Sequence, residues 1–228
     1  MYNMILPSLL FIFFNISYSH ASENSVKGSS AGYLNRLQAK QGCYLEGKIP
    51  RNNSRYYTFL SALNLMSERK AKVIVETGTS RNGASNCLGD GCSTLIFSQW
   101  VQKNGGEYYS VDISMDALIN ASNGIGSLKE YVHFVQSDSV AFLQNFNQTI
   151  DFLYLDSYDF EINNPTPSQE HHLKEIIAAY PFLTEDSVVM IDDCDLPHGG
   201  KGKLVIEYLL NKGWKIAMKG YQVIMVQK

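Results

Sequence analysis

The 228-residue chain is short of charge, of cysteine and of long apolar runs, and each shortage excludes something. Charged residues make up only 18%, with 19 basic against 22 acidic and a formal charge of −3. Lys and Arg nowhere form a run, so the electrostatic footprint of a nucleic-acid-binding protein is missing. Four cysteines, Cys43, Cys87, Cys92 and Cys194, are too few for a disulfide scaffold, and no further ligands at metal spacing make a zinc site of them. Cys87 and Cys92 in "CLGDGC" could close a small loop if the chain is exported; otherwise free or singly bridged thiols are expected. Repeats and low-complexity tracts are absent too, and at about 150 residues per domain the length allows one good-sized core.

The longest apolar run is "ILPSLLFIFFNI", Ile5 to Ile16. It falls short of the roughly 20 residues needed to span a bilayer but suits the core of a signal peptide, and Ser19-His20-Ala21 offers a small-x-small cleavage site. The expected division is therefore 1–21 as signal peptide or hydrophobic anchor, 22–69 as polar linker and cap helix, and 70–228 as the main domain. No Lys or Arg precedes the run, so an uncleaved anchor, with membrane attachment through it, stays open beside secretion.

After the linker, "SRYYTFLSALNLMSER" has helical spacing with Ser54 as a candidate cap. Strands and helices then alternate. The strands are "KVIVETG", "EYYSVDI", "VHFVQSD", "DFLYLDS" and "SVVMIDD", followed by "WKIAM" and "YQVIMVQ" around a Gly220 turn. Short apolar strands separated by helices predict a mostly parallel α/β sheet of seven strands, covered by helices on both faces and closed by a C-terminal antiparallel hairpin.

In open sheets of this kind ligands bind beyond the carboxyl ends of the strands. Here every parallel strand ends in acid: Glu76 with Gly78, then Asp112, Asp138, Asp156, and the pair Asp192 and Asp193. Aspartate favours strand ends and helix caps in any case, which explains any one of these better than all five together.

Glu76-Thr77-Gly78 with Gly83, followed by Asp112, Asp138 and Asp156 at successive strand ends and the terminal hairpin, resembles the class I S-adenosylmethionine-dependent methyltransferases. The likeness runs from Lys72 to Lys228 and implies a Rossmann-like fold. Within that class, "IDD" after the fifth strand is similar to the metal-dependent O-methyltransferases, including the cephalosporin hydroxylase-like and macrolide-sugar branch. The small residues Gly78, Thr79 and Ser80, with Glu76, are expected around the methionine part of the cofactor. Asp112 is placed to bind ribose hydroxyls, and Asp138 to meet the adenine amino group. A nicotinamide cofactor is disfavoured, because Gly78 and Gly83 with four residues between them do not make GxGxxG.

Asp156, Asp192 and Asp193 are expected to hold Mg²⁺ or a similar divalent ion, since three carboxylates at adjacent strand ends repel unless a cation joins them. Such an ion would fix an acceptor hydroxyl. The catechol-type enzymes carry a lysine shortly after the fourth-strand aspartate, whereas this chain reads Asp156-Ser157-Tyr158-Asp159. Histidine is the expected replacement base: His198 first, in the loop after strand five, then His172, at the boundary of a helical stripe that leaves His171 outward. Thr166, Pro167 and Gln169 look like a capping box for that helix. An ordinary surface histidine remains the alternative for both, and a turn-capping role the alternative for Asp193. "GGKGK", Gly199 to Lys203, lacks the Ser or Thr of a phosphate loop.

These readings imply methylation of a small hydroxylated acceptor, with no nucleic-acid partner; the oligomeric state is not legible. Two rivals stay open: a non-catalytic binding protein on the same fold, and a metal-dependent hydrolase using the same aspartates. The signal-like N-terminus points to export or membrane attachment, and the cofactor requirement points to the cytosol.

Overall fold

The computed structural model describes residues 40–227. The apolar run, its cleavage site and the first part of the linker lie outside them. Among the described residues, no helix is long and apolar enough to cross a membrane.

Seven strands form one sheet: β1 (Val73–Thr77), β2 (Glu107–Asp112), β3 (His133–Gln136), β4 (Phe152–Leu155), β5 (Val188–Ile191), β6 (Lys215–Lys219) and β7 (Val223–Val226). Their order is β3-β2-β1-β4-β5-β7-β6. β1 to β5 are mutually parallel, and β7 enters antiparallel between β5 and β6. The expected parallel sheet with a terminal hairpin is therefore present.

The helices are α1 (Tyr56–Glu68), α2 (Cys87–Asp90), α3 (Ser93–Asn104), α4 (Met115–Ile125), α5 (Ser139–Gln144), α6 (Thr166–Ala179) and α7 (Lys203–Asn211). Two cores follow from the period-2 alternation of strand side chains. Ile74, Tyr108, Phe152, Tyr154, Met190 and Ile224 face one way, against Phe59 and Leu63 of α1 and Phe97 and Trp100 of α3. Val75, Leu153, Leu155, Val189, Ile191 and Met225 face the other, against Leu143, Ile176, Val205 and Leu209 of α5, α6 and α7. Phe97 anchors the first core, its ring meeting those of Phe59, Tyr108, Phe152 and Tyr154 at 5.1–6.1 Å.

Local signals were less faithful than periodicity. Ser54 does not cap α1; Arg55 holds the cap position, without a side-chain cap bond. Gln169 does not close a capping box on α6 either. Its amide instead donates to the carbonyls of His198 (3.1 Å) and Gly200 (3.0 Å), tying the helix to the loop after β5.

Candidate active site

The sheet order reverses between β1 and β4, and the ligand crevice of such sheets opens at that switch. Gly78 leaves β1 at φ +80°, a conformation that favours glycine. A Cβ there would stand 2.8 Å from Asp156 C and 2.9 Å from Ser157 Cα, with the Asp156 carbonyl oxygen nearer still. The missing side chain lets the turns after β1 and β4 touch.

Two cavities flank this contact and share Gly78, Asp112 and Ser157. One, about 280 Å³, is bounded by Asp138, Ile113, Tyr158 and His171. The other, about 430 Å³, reaches Thr79 and Ser80 and then Asp156, Asp192 and Asp193. Both have the size of small-molecule sites.

Glu76 lies under the turn, wholly buried, and does not line either cavity. Its carboxylate accepts hydrogen bonds from four hydroxyls: Ser93, Thr94 (2.9 Å), Tyr108 (2.6 Å) and Ser110 (2.7 Å). Burial pushes its pKa up, and those hydroxyls oppose the shift. Thr94 also sets the turn: its Oγ1 accepts from Ser80 N–H at 2.9 Å, and its own N–H donates to Ser80 Oγ at 3.1 Å. Glu76 thus shapes the loop that carries Thr79 and Ser80. Ser93 does not cap α3, because its hydroxyl is taken by Glu76 and Cys92 occupies the cap position.

Asp112 closes β2 and accepts from Thr79 N–H (3.0 Å) and Ser114 N–H (2.8 Å), so it holds two turns while bordering both cavities. Asp138 is exposed and caps α5 through Ala141 N–H at 2.8 Å. That bond uses one of its two carboxylate oxygens, Oδ1.

Asp156, Asp192 and Asp193 do converge, with one ligand atom from each lying within 4.8 Å of the others. They arrive with two cations that the sequence reading missed. Lys201 Nζ, on a side chain only 3% exposed, stands 2.6 Å from Asp156 Oδ1 and 3.2 Å from Asp193 Oδ2. Arg55, just before α1, reaches Asp192 at 3.5 Å and Asp193 at 3.8 Å, and its guanidinium lies 4.1 Å from the ring centre of Tyr221. Tyr221 donates its hydroxyl to Asp193.

Burial alone would lower the Lys201 pKa, but Asp156 and Asp193 outweigh it and the net shift is upward; the group is an ammonium, not a base. Burial raises the Asp192 carboxyl despite Arg55. For Asp193 the same burial is overcome by Lys201 and Tyr221, and its pKa falls. Burial and the other two aspartates raise Asp156, whereas an ammonium 2.6 Å away opposes them; at that distance we assign the ion pair. Two glycines deliver Lys201. Gly200, at φ +57°, has no room for a Cβ, which would lie 3.1 Å from Cys194 Cα, and this tight return places Lys201 N–H 3.2 Å from Asp193 O. A Gly-Gly-Lys run, its lysine eight residues after a paired aspartate, was the available signal.

The histidines depart from expectation. His198 is exposed and lines neither cavity; it contributes its carbonyl to Gln169. His172 is not at a boundary but fully buried, with Nδ1 2.7 Å from Ser168 O and Nε2 4.0 Å from Glu175, without a hydrogen bond among the described residues. The reason is that α6 packs against α5 on one side and α7 on the other, so its buried face is wider than one stripe. His171 is the one that borders a cavity, with its ring beside Tyr158 and Nε2 3.0 Å from Ser139 Oγ and 3.5 Å from Glu175. Its pairing with Glu175 raises its pKa.

Burial lowers the His172 pKa to about 4. The unfolded chain takes up a proton near pH 6.5 that the native state refuses until pH 4. The contribution of His172 to stability is therefore full above pH 6.5 and lost as pH falls through that window, by about 3 kcal/mol. Thermal melts between pH 7 and 4 should show this slope, and His172→Asn should flatten it. An unchanged slope in the variant would assign it to other groups.

The mouth of the larger cavity is bordered by Arg81, paired with Asp159 at 2.5 and 2.9 Å, and by Gly89 and Asp90 of α2. A disulfide between Cys87 and Cys92 closes that segment, while Cys43 and Cys194 form no disulfide among the described residues.

A methyltransferase-domain family model matches residues 88–194. No curated protein matches the chain. Among solved structures it is similar to NSun6 from Pyrococcus horikoshii with SFG: TM-score 0.56, 16% identity, covering 73% of this chain and 50% of that one. The chain thus spans half the length of that protein. It is also similar to an O-methyltransferase from Bacillus cereus in complex with SAH: TM-score 0.52, 16% identity, 88% and 96% covered. A third likeness is the TDP-rhamnose 3'-O-methyltransferase of calicheamicin biosynthesis: TM-score 0.53, 12% identity, 92% and 96% covered. With its strand order and its terminal hairpin, the chain has the Rossmann-like fold of the class I S-adenosylmethionine-dependent methyltransferases, and residues 88–194 match a methyltransferase-domain model.

Proposed function

We propose that the protein methylates a hydroxyl of a small polar acceptor, using S-adenosylmethionine. The observation that carries this reading is the pair of cavities meeting at Gly78, one beside Asp112 and Asp138 and the other ending in the carboxylate cluster. The residues fit the cofactor: the glycine turn leaves room a Cβ would fill, Asp112 suits a ribose diol, and Asp138 suits an exocyclic amine. When bound, the cofactor supplies an activated methyl group on a sulfonium. The chain's own part is positioning, with Thr79 and Ser80 fixing one end and the Asp156–Asp193 cluster fixing the acceptor.

The larger cavity is walled almost wholly by polar and charged side chains, which favours a hydroxylated, sugar-like acceptor over an apolar aromatic one. The O-methyltransferases among the similar structures support the same reaction, one of them acting on a sugar. The chain's net charge of −3 supports a small acceptor over nucleic acid. Incubation with isotopically labelled cofactor and a panel of sugars, polyols and catechols should yield a labelled methyl ether from a polyhydroxylated compound. Label recovered only in catechols would overturn the acceptor assignment.

One observation favours a second reading. The Cys87–Cys92 disulfide suits an oxidising compartment, where a cytosolic cofactor is scarce, so the fold could serve there as a non-catalytic binding module. That reading takes over if the cofactor does not bind.

The expected divalent ion meets a specific obstacle. The oxygen donors are in place, but Lys201 and Arg55 already engage all three carboxylates. A second cation would have to lodge within a few ångströms of a buried ammonium. This donor set does not fit a divalent ion while Lys201 is in it.

A further inference from the structure

We propose that the Lys201 ammonium is the resident cation of this site, doing for the three aspartates what a divalent ion would do, so that the acceptor hydroxyl is held without metal. The inference rests on the methyltransferase reading and deepens it.

Three observations carry it. The first is geometric: Lys201 Nζ bridges Asp156 and Asp193 at 2.6 and 3.2 Å, on a side chain almost completely buried. The second is the effort spent on placing it. Gly200 returns the chain tightly against Asp193 and Cys194, and Gln169, itself 5% exposed, clamps the Gly200 carbonyl at 3.0 Å. A lysine that merely drifted into an acidic pocket would not need a loop locked from two sides.

The third is what is left unpaired. An ammonium has three N–H donors, and two carboxylates take two of them. Asp192 is 2% exposed, lines the larger cavity, and has an Oδ1 with no hydrogen-bond partner among the described residues. A buried carboxylate oxygen without a donor is costly unless a ligand completes it. A hydroxyl needs one donor and one acceptor, and the cluster has one of each to spare: the remaining Lys201 N–H and Asp192 Oδ1. A neutral alcohol matches that donor and acceptor; a second cation does not.

The test uses the full-length protein and Mn²⁺ as the probe, read by electron paramagnetic resonance. Wild type should leave millimolar Mn²⁺ free, and its affinity for S-adenosylmethionine should change less than threefold with a chelator. Lys201→Ala, which opens the space and leaves the carboxylates short of positive charge, should acquire one Mn²⁺ per chain and melt at a higher temperature when Mn²⁺ is added. Lys201→Arg should stay metal-free.

One equivalent of Mn²⁺ bound to wild type and lost in Asp192→Asn would overturn the proposal, whatever the variants do. If Lys201→Ala does not fold, the wild-type titration and Lys201→Arg still decide. Absence of cofactor binding with and without metal would instead remove the methyltransferase reading on which the proposal stands, so the two failures are distinguishable.

Discussion

Replacing Gly78 with alanine is expected to abolish S-adenosylmethionine binding and to lower the melting temperature by about 10 °C. Two costs add. Alanine at φ +80° pays about 1–2 kcal/mol for a left-handed backbone, and its Cβ meets main-chain atoms of Asp156 and Ser157 that no rotamer change can move aside. Driving those turns apart separates the two cavities' shared wall and shifts Asp156 away from Lys201. A total near 3–5 kcal/mol places it among the exceptional single substitutions. A Gly78→Ala protein with wild-type melting and cofactor affinity would mean that the β1–β4 contact does not organise the site.

The second large effect is that of Asp112→Ala, for which a loss of at least 100-fold in cofactor affinity is expected, about 3 kcal/mol. Part of it is the loss of the ribose partner proposed for Asp112. The rest is positional, because Thr79 N–H and Ser114 N–H lose their acceptor and the turn after β1 is freed. The fold should survive with a melting temperature only a few degrees lower, since Asp112 is partly exposed and outside both cores. Asp112→Asn keeps one acceptor oxygen and should fall between the two. Equal affinity in all three proteins would detach Asp112 from the cofactor.

How far the sequence revealed this molecule depended on the range over which each signal acts. The strands were legible because burial on both faces demands continuous apolar runs, and the acids at their ends were legible because a strand end is a local feature. The convergence of Asp156, Asp192 and Asp193 followed from those strand ends being neighbours. Their partners were not legible. Arg55 lies 137 residues from Asp192 in sequence, and only the seating of α1 on the sheet brings them together. Lys201 stood in a stretch judged by its failure to match a phosphate loop, although Gly-Gly before Lys already described a tight return.

The histidines show a different limit. A helical wheel assigns one buried face, but α6 is flanked by two helices, and this buries His172 while turning His171 to the cavity. Gln169 looked like part of a cap because local hydrogen bonds are what a sequence suggests first. In the fold, Gln169 spans 31 residues to Gly200 and Ser93 spans 17 to Glu76, and both serve the site instead of the helix end. The Cys87–Cys92 loop was readable as a pair because only four residues separate them.

The central claim is that the crevice between β1 and β4 is a cofactor site, and calorimetric titration of S-adenosylmethionine into the full-length protein tests it most directly, with Asp112→Ala as the comparison. The expected result is one site per chain at micromolar strength, roughly −8 kcal/mol, strongly weakened in the variant. No heat and no thermal shift in wild type, or binding that Asp112→Ala leaves intact, would contradict it.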